Sequence, residues 1–242
     1  MSVTSSSIHL DATPAAICFE PAKSAVIVVD MQNDFCSKGG MFDLAGHDIG
    51  LARDTIAPIA RLLAGARRAG MHVVYLVHGF LPDLSDAGGP RSRNWLLNKD
   101  LNIGKEILAP DGSKGRIHIR NTWNTGVVDE LKPEPADLVV YKNRFSGFYA
   151  TDLDEQLRAL GIDTLFFAGT TTSVCVESTL RDASFRDYTA VLLADCMGEA
   201  LGEEFHVASQ KVIAARLGWV SQSADLVKQL QRRDAARREA AA

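Results

Sequence analysis

The sequence predicts a three-layer α/β/α domain built on a doubly wound, mainly parallel sheet. Three observations carry that expectation. Short β-branched runs without polar alternation, such as Ala25-Val-Ile-Val-Val-Asp30, have the pattern of strands covered on both faces. Helical periodicity recurs between these runs, so strands and helices alternate along the chain. Several runs also end in a chemistry-bearing residue, at the carboxyl edge where open α/β sheets place their sites.

Composition sets the outer limits. The chain has 242 residues, 46% hydrophobic and 23% charged, which is enough apolar material for a well-buried core. No linker or internal repeat divides it. One domain is therefore expected over residues 19–230, with a flexible polar arm at 1–18 and a charged tail at 231–242. A net charge of −4 without a broad basic excess argues against a nucleic-acid binder. No apolar run approaches the ~20 residues of a membrane span. The opening MSVTSSSIHLDATPAA has no basic segment followed by an apolar one, so it is not expected to be a signal peptide. Cys18, Cys36, Cys175 and Cys196 are widely spaced and form no C-x-x-C pair, a usage that favours reduced thiols in the cytoplasm.

After the arm, residues 25–30 form the first expected strand, ending in Asp30. Gly39 and Gly40 break the MQNDFCSKGG loop that follows. Apolar positions at Ile56, Ile59, Leu63 and Ala66 place a helix from about Gly50 to Ala69, stopped at Gly70. The strand His72 to Val77 completes a right-handed parallel β-α-β unit. Residues 79–126 lose all periodicity, are rich in Pro, Gly, Asn and Arg, and carry Trp95 and Trp123. A loop this long suits a lid over a site, or an insertion that faces another subunit. Order returns with a short helix at Val127 to Leu131, a turn at Lys132 to Pro135, and a strand Leu138 to Tyr141 that ends at Lys142. A helix from about Asp152 to Leu160 stops at Gly161. Next, a buried strand from Leu165 to Ala168 breaks at Gly169 into a helix that carries Cys175 in its first turn. A strand Ala190 to Leu193 ending at Asp195, a helix Glu203 to Leu217 and a last strand at Trp219-Val220 close the pattern. The tail from Gln231 is expected to be an exposed helix end.

Asp30, Lys142 and Cys175 each fall at or just past the carboxyl end of an expected parallel strand, so the sheet brings them to one edge. A carboxylate can take a thiol proton, and an ammonium can hold the carboxylate and favour a thiolate. A helix N-terminus favours the thiolate as well. Taken singly, each residue has a plainer role: Asp30 as a turn cap, Lys142 as a solvated strand-end charge, Cys175 as a small buried hydrophobe. Their joint placement is what points to a site.

Three separated motifs, VVDMQNDF around Asp30, VVYKNRFSGF around Lys142 and GTTTSVCVESTLRDA around Cys175, resemble those of the isochorismatase-like cysteine hydrolases. That superfamily includes nicotinamidases, N-carbamoylsarcosine amidases, biuret hydrolases and ureidoacrylate amidohydrolases. The resemblance runs from about Phe19 to Leu230. It implies an Asp30–Lys142–Cys175 triad, an oxyanion hole made by the backbone amides of Thr171 and Cys175, and a cis peptide at Thr170-Thr171. The implied reaction is amide hydrolysis through a thioester, with Asp30 as the proton carrier. No cofactor is implied. The family is commonly homo-oligomeric, often tetrameric.

Nicotinamidases in this superfamily carry closely spaced histidines after the second strand. Here VHGFLPDLSDAGGP offers only His78 and Asp83, so no metal site is expected and His78 is assigned to packing or hydrogen bonding. The pieces GGMFDLAG, AGGP, VDEL, RFSGF and GWVS most resemble the ureidoacrylate amidohydrolases, while GHDIG and PDLSD resemble biuret-type enzymes. A small linear ureido or carbamoyl compound is the implied substrate, with biuret, triuret or N-carbamoylsarcosine as alternatives. The chain departs from the ureidoacrylate type at Asp34-Phe35-Cys36, which makes Phe35 a candidate pocket wall and Cys36 a bystander thiol. Arg91, Arg93, Asn94, Asn121 and Arg144 are candidate partners for a substrate carboxylate. Trp95, Trp123, Phe148 and Tyr149 are candidates for an apolar wall, each with a plain surface or core role as the alternative. A protein of this fold that binds without catalysis is the competing class. A nucleotide-binding domain ranks below both, because G-x-G-x-x-G and Walker A sequences are missing.

Overall fold

The computed structural model of the protein describes residues 7–241. In chain order the strands are β1 (Ile8–Leu10), β2 (Ile17–Phe19), β3 (Ser24–Val29), β4 (His72–His78), β5 (Glu106–Leu108), β6 (Lys114–Arg116), β7 (Leu138–Lys142), β8 (Thr164–Thr170), β9 (Thr189–Gly198) and β10 (Trp219–Ser221). The α-helices are α1 (Asn33–Cys36), α2 (Met41–Leu44), α3 (Gly50–Arg53), α4 (Ile56–Ala69), α5 (Arg93–Asp100), α6 (Leu153–Ala159), α7 (Glu177–Ser184), α8 (Glu203–Val212) and α9 (Ser223–Ala241).

A parallel sheet of order β10-β9-β8-β3-β4-β7 forms the middle layer, with helices flanking it. Every residue of the central strand β3 is buried, which is why its sequence shows no alternation. From β3 the chain winds outward through β4 to β7, then returns to β8 and winds the other way to β10. The reversal between β3 and β8 opens a crevice at their carboxyl ends, the place where such folds bind ligands. The apolar stripe of α4 (Ile59, Leu62, Leu63, Ala66) is buried, and Gly65 lets α4 approach Val227 of α9 closely.

Several local expectations change. Gly169 does not break the strand: β8 continues to Thr170, with Gly169 at φ +123 and the register with β9 shifting beside it. A Cβ there would lie 2.1 Å from the Val29 carbonyl oxygen, so only glycine lets β8 meet the end of β3. The helix expected over 50–69 is divided into α3 and α4 at the buried Thr55, whose hydroxyl donates to the Ala52 carbonyl at 2.7 Å. The helix expected at 127–131 is a single 3₁₀ turn at Asp129–Leu131, and α8 ends in a π-helical turn at Ile213–Leu217. β9 runs past Asp195, which instead receives the backbone N–H and hydroxyl of Ser223 at the start of α9.

The N-terminal segment is more ordered than a flexible arm, while the tail is the mostly exposed helix end expected. Residues 1–6 lie outside the described residues, but β1 and β2 pair as a hairpin with Leu10 and Ile17 buried. Thr13 bridges Val220 of the sheet-edge strand β10. The tail is the continuation of α9, and Arg233 donates to the Ala69 carbonyl at the end of α4 at 2.7 Å.

The lid expected at 79–126 is built on polar anchors, which hydrophobic periodicity does not reveal. It contains α5, the β5–β6 hairpin and a 3₁₀ turn at Trp123–Thr125. Buried Asp34 holds it to the loop after β3. One carboxylate oxygen accepts the Met41 N–H (3.0 Å) and the Asn124 amide (2.6 Å), and the other accepts the His118 N–H (2.7 Å). A second anchor is Asp86, which takes the Arg120 guanidinium at 3.0 Å while its carbonyl takes Arg144 at 2.9 Å.

Burial pushes the Asp34 carboxyl up from 3.8 to about 6, against the three donors that favour its charge. The folded chain therefore holds this proton more tightly than the unfolded chain. Its contribution to stability falls as pH rises from 3.8 to about 6 and is constant above that. Asp34→Ala leaves three buried donors unpaired. It should cost about 2–4 kcal/mol in urea unfolding at neutral pH, remove that pH dependence, and expose the lid to limited proteolysis. Wild-type stability and protease resistance in this variant would rule out Asp34 as the lid's anchor.

Candidate active site

The edge formed by β3, β4, β7 and β8 carries the residues singled out above. Asp30 follows β3 directly with a left-handed φ of +52, and its N–H donates to the Leu76 carbonyl of β4 at 3.0 Å. Gln32 sews the same loop to β4 by accepting from the His78 N–H (2.7 Å) and donating to the His78 carbonyl (2.8 Å). Lys142, at the end of β7, is fully buried and reaches Asp30 Oδ2 at 2.9 Å and the Arg144 carbonyl at 3.2 Å. The second Asp30 oxygen, Oδ1, has no hydrogen-bond partner among the described residues. Cys175 Sγ, a carboxylate oxygen of Asp30 and a ring nitrogen of His78 all lie within 4.8 Å of one another. These three are also the group that could hold a metal ion, though the Lys142 ammonium already occupies the same carboxylate.

The turn bearing Cys175 differs from the expected helix start. Thr172–Val176 forms a π-helical turn, and α7 proper begins only at Glu177. The N–H groups of Val174 and Val176 are both turned onto the Thr171 carbonyl, at 3.1 and 3.2 Å. The Thr170-Thr171 peptide is cis. Glu199, buried in the loop after β9, accepts the Ser173 N–H at 2.9 Å, and the Thr172 hydroxyl donates to the Gly198 carbonyl at 3.0 Å. Below the turn, the Thr179 hydroxyl donates to the Cys175 carbonyl (2.7 Å) and accepts from the Gly147 N–H (3.0 Å). That contact gives the RFSGF motif a physical basis. A Cβ at Gly147 would fall 2.4 Å from the Leu76 side chain, while Phe145 beside it faces the site.

Burial works against the thiolate that a helix N-terminus and Lys142 would favour. Desolvation, and after it the charge of Asp30, push the Cys175 thiol well above its ordinary 9.0, and Lys142 only partly opposes them. The amides thought to stabilise a thiolate are partly spent within the π turn. Burial likewise raises the Asp30 carboxyl against the pull of Lys142, which makes it a stronger base than a solvated aspartate. Desolvation alone would strip the Lys142 proton, but the Asp30 charge reverses this and raises its affinity. His78 and His118 stack edge to face at 4.5 Å and are both neutral. Burial and the Lys142 charge push His118 down to about 3 and His78 well below its ordinary 6.5. The 3.7 Å approach of His118 to Asp34 is therefore a contact and not an ion pair.

Cys175, Thr171, His78 and Phe35 line one cavity of about 340 Å³, closed by Met41, Phe42, Asn98, Leu101, Phe145 and Leu201 among others. A larger groove of about 460 Å³, near Trp219, holds none of these groups. Of the residues proposed from sequence to touch substrate, Phe35 and Arg93 lie on the cavity. Asn94 is turned to the Ala87 carbonyl, and Trp95 packs with Phe80 and Ile119 inside the lid. Arg91 is exposed and not on the wall, as is Asn121. Arg144 is spent on Asp86 and Asn143, with Tyr149 stacked on it and 54% exposed. Phe148 is buried against Tyr188 and Arg186, behind the motif that carries it. Cys36 is buried with its thiol pushed up to about 12 and does not line the cavity. Asp83 is exposed and bound to Ser85, so it does not join His78. Sequence reasoning missed Leu97, Leu101, Asn98 and His118. The i, i+4 pair Leu97 and Leu101 was the one available signal, inside a segment otherwise without period.

The sequence matches the family model of the isochorismatase domain over residues 24–225. The chain belongs to the isochorismatase family. Ureidoacrylate amidohydrolase RutB of Methylorubrum extorquens is 44% identical over 214 residues, which make up 88% of this chain and 85% of that protein. The protein of the same name from Variovorax paradoxus is 44% identical over 219 residues, 90% of this chain and 86% of its own. Among solved structures, a cysteine hydrolase from Pseudomonas syringae pv. phaseolicola superposes with a TM-score of 0.74 at 32% identity, covering 88% of this chain and 94% of that one. The isochorismatase-family match takes in the six-stranded sheet and leaves out the β1–β2 hairpin and most of α9. Those outer parts are local to the chain ends and do not touch the cavity.

The electrostatics of this isochorismatase-family site can be tested on the thiol itself. Lys142→Ala removes the one cation that opposes the rise of the Cys175 pKa, so alkylation of Cys175 by iodoacetamide should need a higher pH than in the wild type. An unchanged pH profile of labelling would remove Lys142 from the charge balance of the thiol.

Proposed function

We propose that this protein is a cysteine-dependent amidohydrolase that cleaves a C–N bond of a small linear ureido or carbamoyl compound through a thioester. The observation that carries the reading is the convergence of Asp30, Lys142 and Cys175 at one sheet edge, with Cys175 on the wall of the cavity. The 44% identity to proteins named ureidoacrylate amidohydrolase supports the ureido class of substrate.

The steps follow from the charges. Cys175 is a protonated thiol at rest, so attack on the carbonyl carbon requires its proton to move to Asp30 as the S–C bond forms. The carbonyl oxygen gains negative charge and is held by the backbone amides of Thr171 and Cys175, preorganised donors of a kind worth ~3 kcal/mol each in a transition state. Asp30 then passes the proton to the departing nitrogen, the C–N bond breaks, and a carbamoyl or acyl group stays on sulfur. A water molecule adds to that thioester while Asp30 takes its proton. The C–S bond breaks, the proton returns to sulfur, and carbamate or the acid leaves. Lys142 keeps Asp30 ionised at the start of each half-reaction despite its burial.

The reading includes a homo-oligomer, up to a tetramer, supported by the exposed apolar side chains of Leu51, Leu201 and Phe205. It also includes a reducing, cytoplasmic setting, supported by four cysteines that are all free thiols. Ammonia release measured side by side on ureidoacrylate, biuret, triuret, N-carbamoylsarcosine and nicotinamide tests the substrate class. Turnover of ureido compounds is expected, and activity on nicotinamide alone would overturn the proposal. Cys175→Ala should fold as the wild type does and lose at least about 10³-fold in turnover, since it deletes the nucleophile without adding bulk. Residual turnover above that level would mean that the thiol does not attack.

A further inference from the structure

The cavity above Cys175 is larger and less polar than a ureido group requires. At about 340 Å³ it falls within the ~300–1,000 Å³ range of sites that enclose drug-sized ligands. Its buried end is marked by Cys175, His78 and His118, and its mouth by the exposed Arg93 and by Leu201, which is 51% exposed. Between them the walls are mostly carbon, from Phe35, Phe42, Leu97, Leu101 and Phe145, with His47 and Asn98 as the polar exceptions.

Polar capacity is unevenly distributed along this axis. At the floor, the rings of His78 and His118 line the cavity while His78 Nε2 and both ring nitrogens of His118 are buried away from it, so the head group meets Cys175 and Thr171 of the turn. Neither ring supplies a charge, because both are neutral. Arg93 is the one permanently charged side chain on the lining, and no carboxylate pairs with it among the described residues. A short acid bound through its ureido end finds few polar partners for its carboxylate on these mostly apolar walls, where an unpaired anion is costly.

We infer that the compound hydrolysed here is an N-carbamoyl compound whose nitrogen carries an apolar body about the size of a leucine or phenylalanine side chain, with an acidic group, where present, at the mouth against Arg93. This rests on the ureido-hydrolase reading of the same site. The walls select the body by removing its surface from water, while the floor receives only the reacting carbamoyl group.

The test is kcat/KM of the purified protein for ureidoacrylate, N-carbamoyl-β-alanine, hexylurea, 2-phenylethylurea and 6-ureidohexanoate, the last with its carboxylate at the far end of the apolar body. The apolar members are expected to exceed ureidoacrylate at least about tenfold, the gain from burying one such side chain. Leu97→Asn, at a half-buried position on α5, should shrink that ratio at least about fivefold. Arg93→Gln, exposed and free of partners, keeps the question open if Leu97→Asn fails to fold. It should raise KM more for 6-ureidohexanoate than for hexylurea. Ureidoacrylate turned over as well as or better than every apolar member would overturn the inference and leave the ureido reading standing. No Cys175-dependent turnover of any ureido compound would bring down both.

Discussion

The pairing of Lys142 with Asp30 is the constraint on which the rest of the site depends. Two opposite charges sit with essentially no exposure at the ends of strands that are not neighbours, β7 and β3. Burying either charge alone would be prohibitive, and burying both is tolerable only at hydrogen-bonding distance. The strand lengths, the left-handed turn at Asp30 and the Gln32 clamp onto β4 all serve to fix that distance. Gly169 belongs to the same set, since a side chain there would drive β8 away from the end of β3 and carry Cys175 with it. The ion pair also bears on the thiol: burial and the Asp30 charge favour its protonated form, and Lys142 only partly opposes them.

Most of the scaffold was legible in the sequence because burial on both faces writes itself as unbroken apolar runs. Val26 to Val29 and Leu165 to Ala168 could scarcely belong to anything but interior strands, and the order of strands and helices then leaves few topologies. Asp30, Lys142 and Cys175 were legible for a related reason: each is an ionisable or nucleophilic residue placed where an apolar run stops. Gly169 misled because a glycine with positive φ inside a strand looks the same in sequence as one that ends it. The hairpin at 8–19 was hidden by its length, two three-residue strands that need α9 and β10 to bury them.

The lid was the part least open to sequence reasoning, and the cause is physical. It is held by Asp34, Asp86, Arg120, Arg144 and Asn124, whose bonds reach across many tens of residues and leave no period behind. Polar residues of that kind are the ones normally assigned to solvent or ligand, so Arg144 and Asn94 were natural choices for substrate contacts. Instead they hold the lid together, and the cavity-facing positions went to Leu97, Leu101 and Phe145. A lid organised this way is ordered before anything binds, so the conformational entropy of the walls is lost on folding and not on association.

The protonated state of Cys175 bears on how the protein survives in the cell. Peroxide and electrophilic metabolites react with thiolates, and a solvent-shielded thiol with a raised pKa presents almost none. In the proposed reaction, nucleophilicity is created only when a carbonyl carbon arrives and Asp30 draws the proton away. On that reading the thiol is chemically quiet between turnovers, because the desolvation that raises its pKa also makes its reaction depend on a base.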